Sequence, residues 1–228
     1  MLHHATLAPR GPARGTVVLL HGFGADEEDM LGIGLSLPRD LLYVSLRGPL
    51  QLPWGGHAWY PLRTVPGGAP DPAPWPADGG REPRAPDLRT AVGLVAETLR
   101  ALPEHLDLHP ETTVLAGFSQ GAAVASSVML DSGAPRLAGY AALSGYPPEQ
   151  EAGPAPGALH AAPVFVAHGT GDRLLPVALG RALCSRLEAA GATVTYREYP
   201  LGHEVGDAEL ADLARWLGDV LPRPRPAP

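Results

Sequence analysis

The chain has 228 residues, 45% of them hydrophobic, enough to bury a full core, and the length fits one large domain spanning 1–228 better than two small ones. The net charge is −7, lysine is absent and no run of positive charge occurs, which argues against a nucleic-acid partner. A single cysteine, Cys184, excludes an intramolecular disulfide, no apolar stretch approaches membrane-spanning length, and the first twenty residues lack the basic head and long apolar run of a secretory leader, so a cytoplasmic protein without membrane insertion is expected.

Residues 2–8 read as an edge strand, joined by the turn "PRGPARG" to the apolar run "TVVLL" (16–20). Then "DEEDMLGIGLSL" reads as a helix and "LLYVSL" (41–46) as a strand. The stretch from Pro53 to Pro86 is dense in Pro and Gly and has neither the helical nor the strand period. Loops of that length inside a compact domain usually serve a site, and this one carries Trp54, Trp59, Tyr60 and Trp75.

Strand and helix then alternate regularly: "DLRTAVGLVAETLRAL", "TTVLAG" (112–117), "QGAAVASSVMLD", "AGYAALSG" (138–145), "PVFVAHG" (163–169), "PVALGRALCSRLEAAG", "TVTYREYP" (193–200) and "DAELADLARWLGDVL". Asp87 is placed to cap the first of these helices, Pro176 lies at the start of another and Gly191 follows its end. Cys184 falls inside that helix, where a small buried thiol is the expected role. Apolar strands alternating with helices predict the α/β class, a mostly parallel sheet with helices on both faces. The tail 222–228, "PRPRPAP", cannot continue a helix and is expected to fray.

The string "AGFSQG" places Ser119 between such a strand and such a helix. A serine there sits on a sharp bend, with Gly117 and Gly121 letting strand and helix approach, and its hydroxyl stands over the carboxyl edge of the sheet. In a chain this rich in glycine the GxSxG pattern alone is only moderate evidence, so an acid and a base must follow in the right order. The α/β-hydrolase order is Ser, then Asp or Glu, then His, the last two on loops after later strands.

Three histidines follow Ser119. His160 lies in a Pro/Ala/Gly-rich connection. His168 ends a strand, but its acid would have to be Asp131, Glu149 or Glu151, none on a strand-end loop. His203, in "PLGHEVGD", follows the last strand and leaves Asp172, Glu188 and Glu198 as acids, with Asp207 at a helix start. Asp172, in "HGTGDRLLPV", is the one on a loop after a strand, which selects Ser119, Asp172 and His203 as the candidate triad.

Acyl transfer also needs two N–H donors for the developing oxyanion. The backbone of Gln120 follows the nucleophile, and of two HGxG strings the first, "HGFG" (21–24), leaves Phe23 as the second donor. His21 is expected to order this loop by hydrogen bonding. Trp54, Trp59, Tyr60, Leu62 and Trp75 are candidates for an apolar substrate wall.

Taken in order, "LLHGFGADEEDM", "AWY", "GFSQGA", "HGTGDRLLPV" and "LGHEV" resemble the phospholipase/carboxylesterase family of α/β-hydrolases, which includes acyl-protein thioesterases and small carboxylesterases, across nearly the whole chain. The resemblance implies a serine hydrolase of carboxylic esters or thioesters without a cofactor. Ser119 would be nucleophile, His203 general base and then acid, Asp172 its orienter, and Phe23 and Gln120 the oxyanion donors. Small neutral esters of short to medium acyl chains are the expected substrates. Acyl-protein thioesterase or lysophospholipase activity is the alternative within enzymes, and a non-catalytic small-molecule binder is the alternative outside them. A homodimer through an apolar rim near the site is compatible with the sequence. The stretch Pro61 to Pro86 departs from the family in looking longer and more irregular than many members carry.

Overall fold

The computed structural model describes residues 1–62, 86–106, 108–148 and 159–222. Trp75, Glu149, Glu151, most of the Pro/Gly-rich stretch and all but the first residue of the tail lie outside these ranges.

Seven strands form one sheet: β1 (His4–Leu7), β2 (Thr16–Leu20), β3 (Leu42–Leu46), β6 (Thr113–Phe118), β7 (Gly139–Leu143), β8 (Pro163–Gly169) and β9 (Thr193–Tyr199), in the order β1-β3-β2-β6-β7-β8-β9. Only β1 is antiparallel, its His4 opposite Leu46; the other neighbours are parallel, with Thr16 opposite both Leu42 and Thr113. Parallel strands need crossovers, in which helices α1 (Glu27–Leu35), α2 (Leu88–Ala101), α3 (Gln120–Leu130) and α4 (Val177–Ala189) lie, and α5 (Asp207–Val220) follows the last strand. This is the α/β arrangement the alternating pattern predicts.

The helices cover both faces, which is why strands such as β2 are buried at every position and almost wholly apolar. Val18 and Leu20 point into a core shared with Val95 and Leu99 of α2, Val124 of α3 and Leu187 of α4. Val17 and Leu19 join Met30 of α1 and Leu213 and Trp216 of α5 on the other face. Local chemistry sets the helix ends. Asp26 and Asp29 form a reciprocal capping box at α1, the Asp87 carboxylate accepts the Thr90 N–H at 2.8 Å, and Gly191 turns left-handed after α4 at φ 93°. Buried Glu27 pairs with Arg47, which holds its carboxyl down at about 2 and fastens α1 beside β3. Cys184 is buried in α4, where burial pushes its thiol up to about 11, as expected of a packing residue.

One element differs from the sequence reading. Within the stretch that shows no period, His57–Ala58 (β5) pairs antiparallel with Leu50–Gln51 (β4). Strands of two residues are too short to display a period of two. The hairpin is stitched to the loop after β2: His57 O accepts the Gly24 N–H and Ala25 O accepts the His57 N–H, both at 2.8 Å. Because β2, β6, β8 and β9 all run in one direction, the loops carrying residues 21–25, Ser119, Asp172 and His203 emerge at one edge of the sheet. Among the described residues no helix is long and apolar enough to cross a membrane.

Candidate active site

Ser119 links β6 to α3 with φ 55° and ψ −116°, a left-handed conformation that costs a side-chain-bearing residue of order 1–3 kcal/mol. The surrounding contacts hold it there. A Cβ on Gly117 would lie 2.3 Å from the Gly121 carbonyl, and one on Gly121 would lie 2.2 Å from Leu20 O, so only glycine lets the helix start this close to the strands. The Ser119 N–H is fixed to Leu143 O at 2.9 Å, and its carbonyl accepts the N–H groups of Ala122 and Ala123.

The three candidate triad residues converge. His203 Nε2 lies 2.9 Å from Ser119 Oγ, and His203 Nδ1 lies 2.7 Å from Asp172 Oδ2. Asp172 is buried, and its second oxygen accepts the N–H groups of Leu174 and Leu175 at 2.9 and 2.8 Å. Both carboxylate oxygens are thus occupied in one orientation, which leaves the imidazole Nδ1–H as donor and Nε2 as acceptor toward the serine. The Phe118 ring packs against the imidazole with centroids 4.9 Å apart, a contact the sequence did not suggest. Of the histidines set aside, His160 is exposed, and His168 is fully buried beside the acid, its Nε2 3.6 Å from Asp172 Oδ2 and its Nε2–H donating to Leu175 O at 2.7 Å.

Phe23 and the start of α3 line the same cavity as Ser119. Among the described residues neither the Phe23 nor the Gln120 backbone N–H has an intramolecular acceptor. His21 is fully buried; its Nδ1–H donates to Gly22 O at 2.7 Å and its Nε2 accepts the Gly48 N–H at 2.8 Å. Burial lowers its pKa, consistent with a neutral ring that must keep one acceptor nitrogen. It orders the loop and lies away from Ser119's proton path.

The cavity above Ser119 has a volume of about 510 Å³ and is mainly apolar, with Met30 and Ile33 of α1, Phe118, Tyr146, Leu174 and Val205 in its wall. Among the described residues of the expected apolar wall, Leu62 alone lines it. Trp59 is fully buried and turned inward, its indole N–H donating to His21 O at 2.8 Å. Tyr60 hydrogen-bonds through its hydroxyl to that of Tyr146, a lining residue, at 2.6 Å and does not itself line the cavity. Trp54 is 57% exposed at the tip of the hairpin. Trp75 lies outside the described residues. The wall comes instead from α1 and from the residues next to the triad, whose apolar side chains look like ordinary core positions in sequence. Among the described residues no cluster of His, Cys, Asp or Glu could hold a metal ion.

The parallel sheet with a serine on the β6–α3 bend, a histidine after the last strand and an acid after β8 defines an α/β-hydrolase. The profile of the phospholipase/carboxylesterase family matches residues 1–221, and the chain belongs to that family. It is 34% identical to acyl-protein thioesterase 1 of Debaryomyces hansenii over 137 residues, 55% of this chain and 57% of that protein. It is also 34% identical to carboxylesterase SOBER1 of Arabidopsis thaliana over 113 residues, 48% of this chain and 49% of the relative. The matches therefore span about half the length of these curated relatives. Among solved structures, esterase PE8 superposes with a TM-score of 0.71 at 28% identity, covering 96% of this chain and 99% of that one. The carboxylesterase of Bacillus cereus has the same fold, with a TM-score of 0.77 at 22% identity over 96% and 95% of the two chains.

Proposed function

We propose that this protein is a serine hydrolase that cleaves carboxylic esters of short to medium acyl chains, folded as one α/β-hydrolase domain over 1–228. The observation that carries the reading is the continuous relay from Ser119 Oγ through His203 to Asp172 at the floor of an apolar cavity. His203 Nε2 takes the serine proton as Oγ attacks the ester carbonyl, and Asp172 stays ionised and steadies the imidazolium. The oxyanion is met by the N–H groups of Phe23 and Gln120, each worth about 3 kcal/mol of barrier in comparable sites. His203 then protonates the leaving alcohol, and a water activated by the same nitrogen releases the acid from the acyl-enzyme.

The apolar wall supports neutral acyl groups, and the machinery requires no cofactor. Thioester hydrolysis is the second reading, favoured by the likeness to an acyl-protein thioesterase, and the same relay serves it. A cytoplasmic location fits the single buried cysteine. No nucleic-acid partner is proposed for a chain of net charge −7, and Leu174, 45% exposed beside the cavity, offers an apolar rim on which two copies could meet.

The test is hydrolysis of a chain-length series of p-nitrophenyl esters beside the matched thioesters. Turnover that Ser119→Ala reduces by several orders of magnitude supports the reading, and the ester-to-thioester ratio chooses between the two substrates. A Ser119→Ala protein that binds the esters as the wild type does, while neither turns them over, overturns it in favour of a binding protein.

A further inference from the structure

The Gly22–Phe23 peptide is a rigid plane, so whatever fixes the Gly22 carbonyl also aims the Phe23 N–H on its opposite side. That carbonyl is held by His21 Nδ1–H at 2.7 Å. The His21 carbonyl is held in turn by the Trp59 indole N–H at 2.8 Å, and the two rings pack with centroids 5.3 Å apart. The Trp59 backbone N–H donates to Gln120 Oε1 at 2.9 Å, and Gln120 Nε2 donates to Tyr60 O at 2.7 Å. The side-chain amide of Gln120 is therefore spent on two polar groups of one short segment, while its backbone N–H has no acceptor among the described residues. Trp59 and His21 are fully buried and Gln120 is 1% exposed, so none of these bonds is exchanged freely with water.

The path runs unbroken from one donor to the other: Gln120, Trp59, His21, Gly22, Phe23. The second attachment is local. A Cβ on Gly22 would lie 3.4 Å from Ser119 Cβ, so the donor loop rests directly against the nucleophile and a small shift of the loop alters the spacing.

We infer that Trp59 and the Gln120 side chain are positioning residues that couple the two oxyanion donors into one rigid unit. The inference rests on the serine hydrolase reading above. Trp59 touches no substrate; it acts through His21 and Gln120. Its removal should spare ground-state binding and penalise the transition state, because the donors reach full strength only toward the tetrahedral oxyanion.

The test uses the full chain with Trp59→Phe, which deletes the indole N–H and keeps an aromatic filler, and Gln120→Met, which deletes both side-chain bonds and keeps the backbone donor. Both are assayed with a p-nitrophenyl ester, with an alkylboronic acid as tetrahedral analogue, and with the isosteric amide as ground-state analogue. A displaced donor of this kind costs on the order of 10- to 100-fold. The expected result is a fall of that size in kcat, KM within about threefold, boronate affinity reduced in parallel and amide affinity unchanged. The double variant should lose little more than the worse single one, since both break the same path.

Wild-type kcat in folded variants, even at a lower Tm, overturns the inference and leaves Trp59 as a packing residue. A raised KM with unchanged kcat overturns it too and returns Trp59 to the substrate wall. Gln120→Met decides alone if Trp59→Phe does not fold. Failure of the underlying reading looks different: neither the wild type nor Ser119→Ala then turns over ester or thioester, and the inference falls with it.

Discussion

The chain writes nearly the same string twice, "HGFGAD" at 21–26 and "HGTGD" at 168–172, each at the carboxyl end of a parallel strand. Much of the local structure repeats as well. Both histidines are fully buried and hydrogen-bonded to backbone. In both loops one carboxylate oxygen of the aspartate accepts the N–H groups two and three residues on: Asp26 from Glu28 and Asp29, Asp172 from Leu174 and Leu175. The extra residue Ala25 and the neighbouring strands separate their fates. Asp26 caps α1 at the surface. Asp172 is buried with its other oxygen against His203, because β9 lies next to β8 and delivers that histidine. The loop motif supplies an oriented carboxylate; sheet order decides whether a base is there to use it.

The sharpest way to break this comparison is Asp172→Asn. The amide oxygen can still accept from Leu174 and Leu175, so the fold should persist, but the imidazole loses the partner that fixes its tautomer. We expect kcat to fall by about 10⁴-fold, as in triads of this kind, with a Tm close to wild type. A loss below tenfold would mean that another acid orients His203.

Glycine contacts give the next largest effects. Each buried histidine is pressed against one glycine: a Cβ on Gly180 would lie 2.5 Å from His168 Nδ1, and one on Gly48 would lie 3.2 Å from His21 Cε1 and 2.6 Å from Ala58 O. Gly180→Ala should therefore cost about 1–3 kcal/mol, read as a lower midpoint in urea, because a fully buried ring has little room to give. Gly48→Ala should cost at least as much and should also lower kcat, since it displaces the loop that presents Phe23. Equal catalytic losses in the two variants would erase the distinction between an acid-bearing and a donor-bearing loop.

Much of this was legible in the sequence, and the remainder has identifiable causes. Strands such as β2 and β8 announce themselves as apolar runs, and a helix such as α2 by its period and its Asp87 cap. The chain order of Ser119, Asp172 and His203 follows from which loops can follow strands. The hairpin β4–β5 was missed because two-residue strands carry no period. Trp59 reads from sequence either as substrate wall or as a residue packing its loop onto the sheet, because a Pro/Gly-rich stretch has no period to tell the two apart; its indole N–H donates to a buried carbonyl. The cavity lining by Met30, Ile33 and Leu174 was hidden because an apolar side chain facing a cavity and one facing a core are the same letter.

His21 also carries a pH dependence. His21 needs an unprotonated Nε2 to accept the Gly48 N–H, and burial lowers its folded pKa below the ordinary value near 6.5. The unfolded chain therefore binds a proton that the folded loop refuses. This stabilisation is present above pH 6.5 and is lost as pH falls below it, at a slope of at most about 1.4 kcal/mol per pH unit. Urea unfolding between pH 8 and 5.5 should show that loss, and His21→Gln should flatten it. An unchanged slope in the variant would place the effect on another group.

The smallest effect tests the other half of the repeated string. Asp26→Asn makes the same chemical change as Asp172→Asn, in the same local turn, on a residue that accepts the same pair of backbone N–H groups. Asparagine caps helices about as well as aspartate, so stability should change by only a few tenths of a kcal/mol, and part of that should come from the lost charge at the N-terminus of α1. Because Asp26 faces no base, kcat should stay within about twofold of wild type. The pair of variants thus isolates sheet position from loop chemistry: identical substitutions in near-identical turns, separated by about four orders of magnitude in rate. A large catalytic loss at Asp26 would mean instead that the capping box, through Ala25 and its bond to His57, sets the Phe23 donor, and the first loop's aspartate would then be as necessary to the site as the second's.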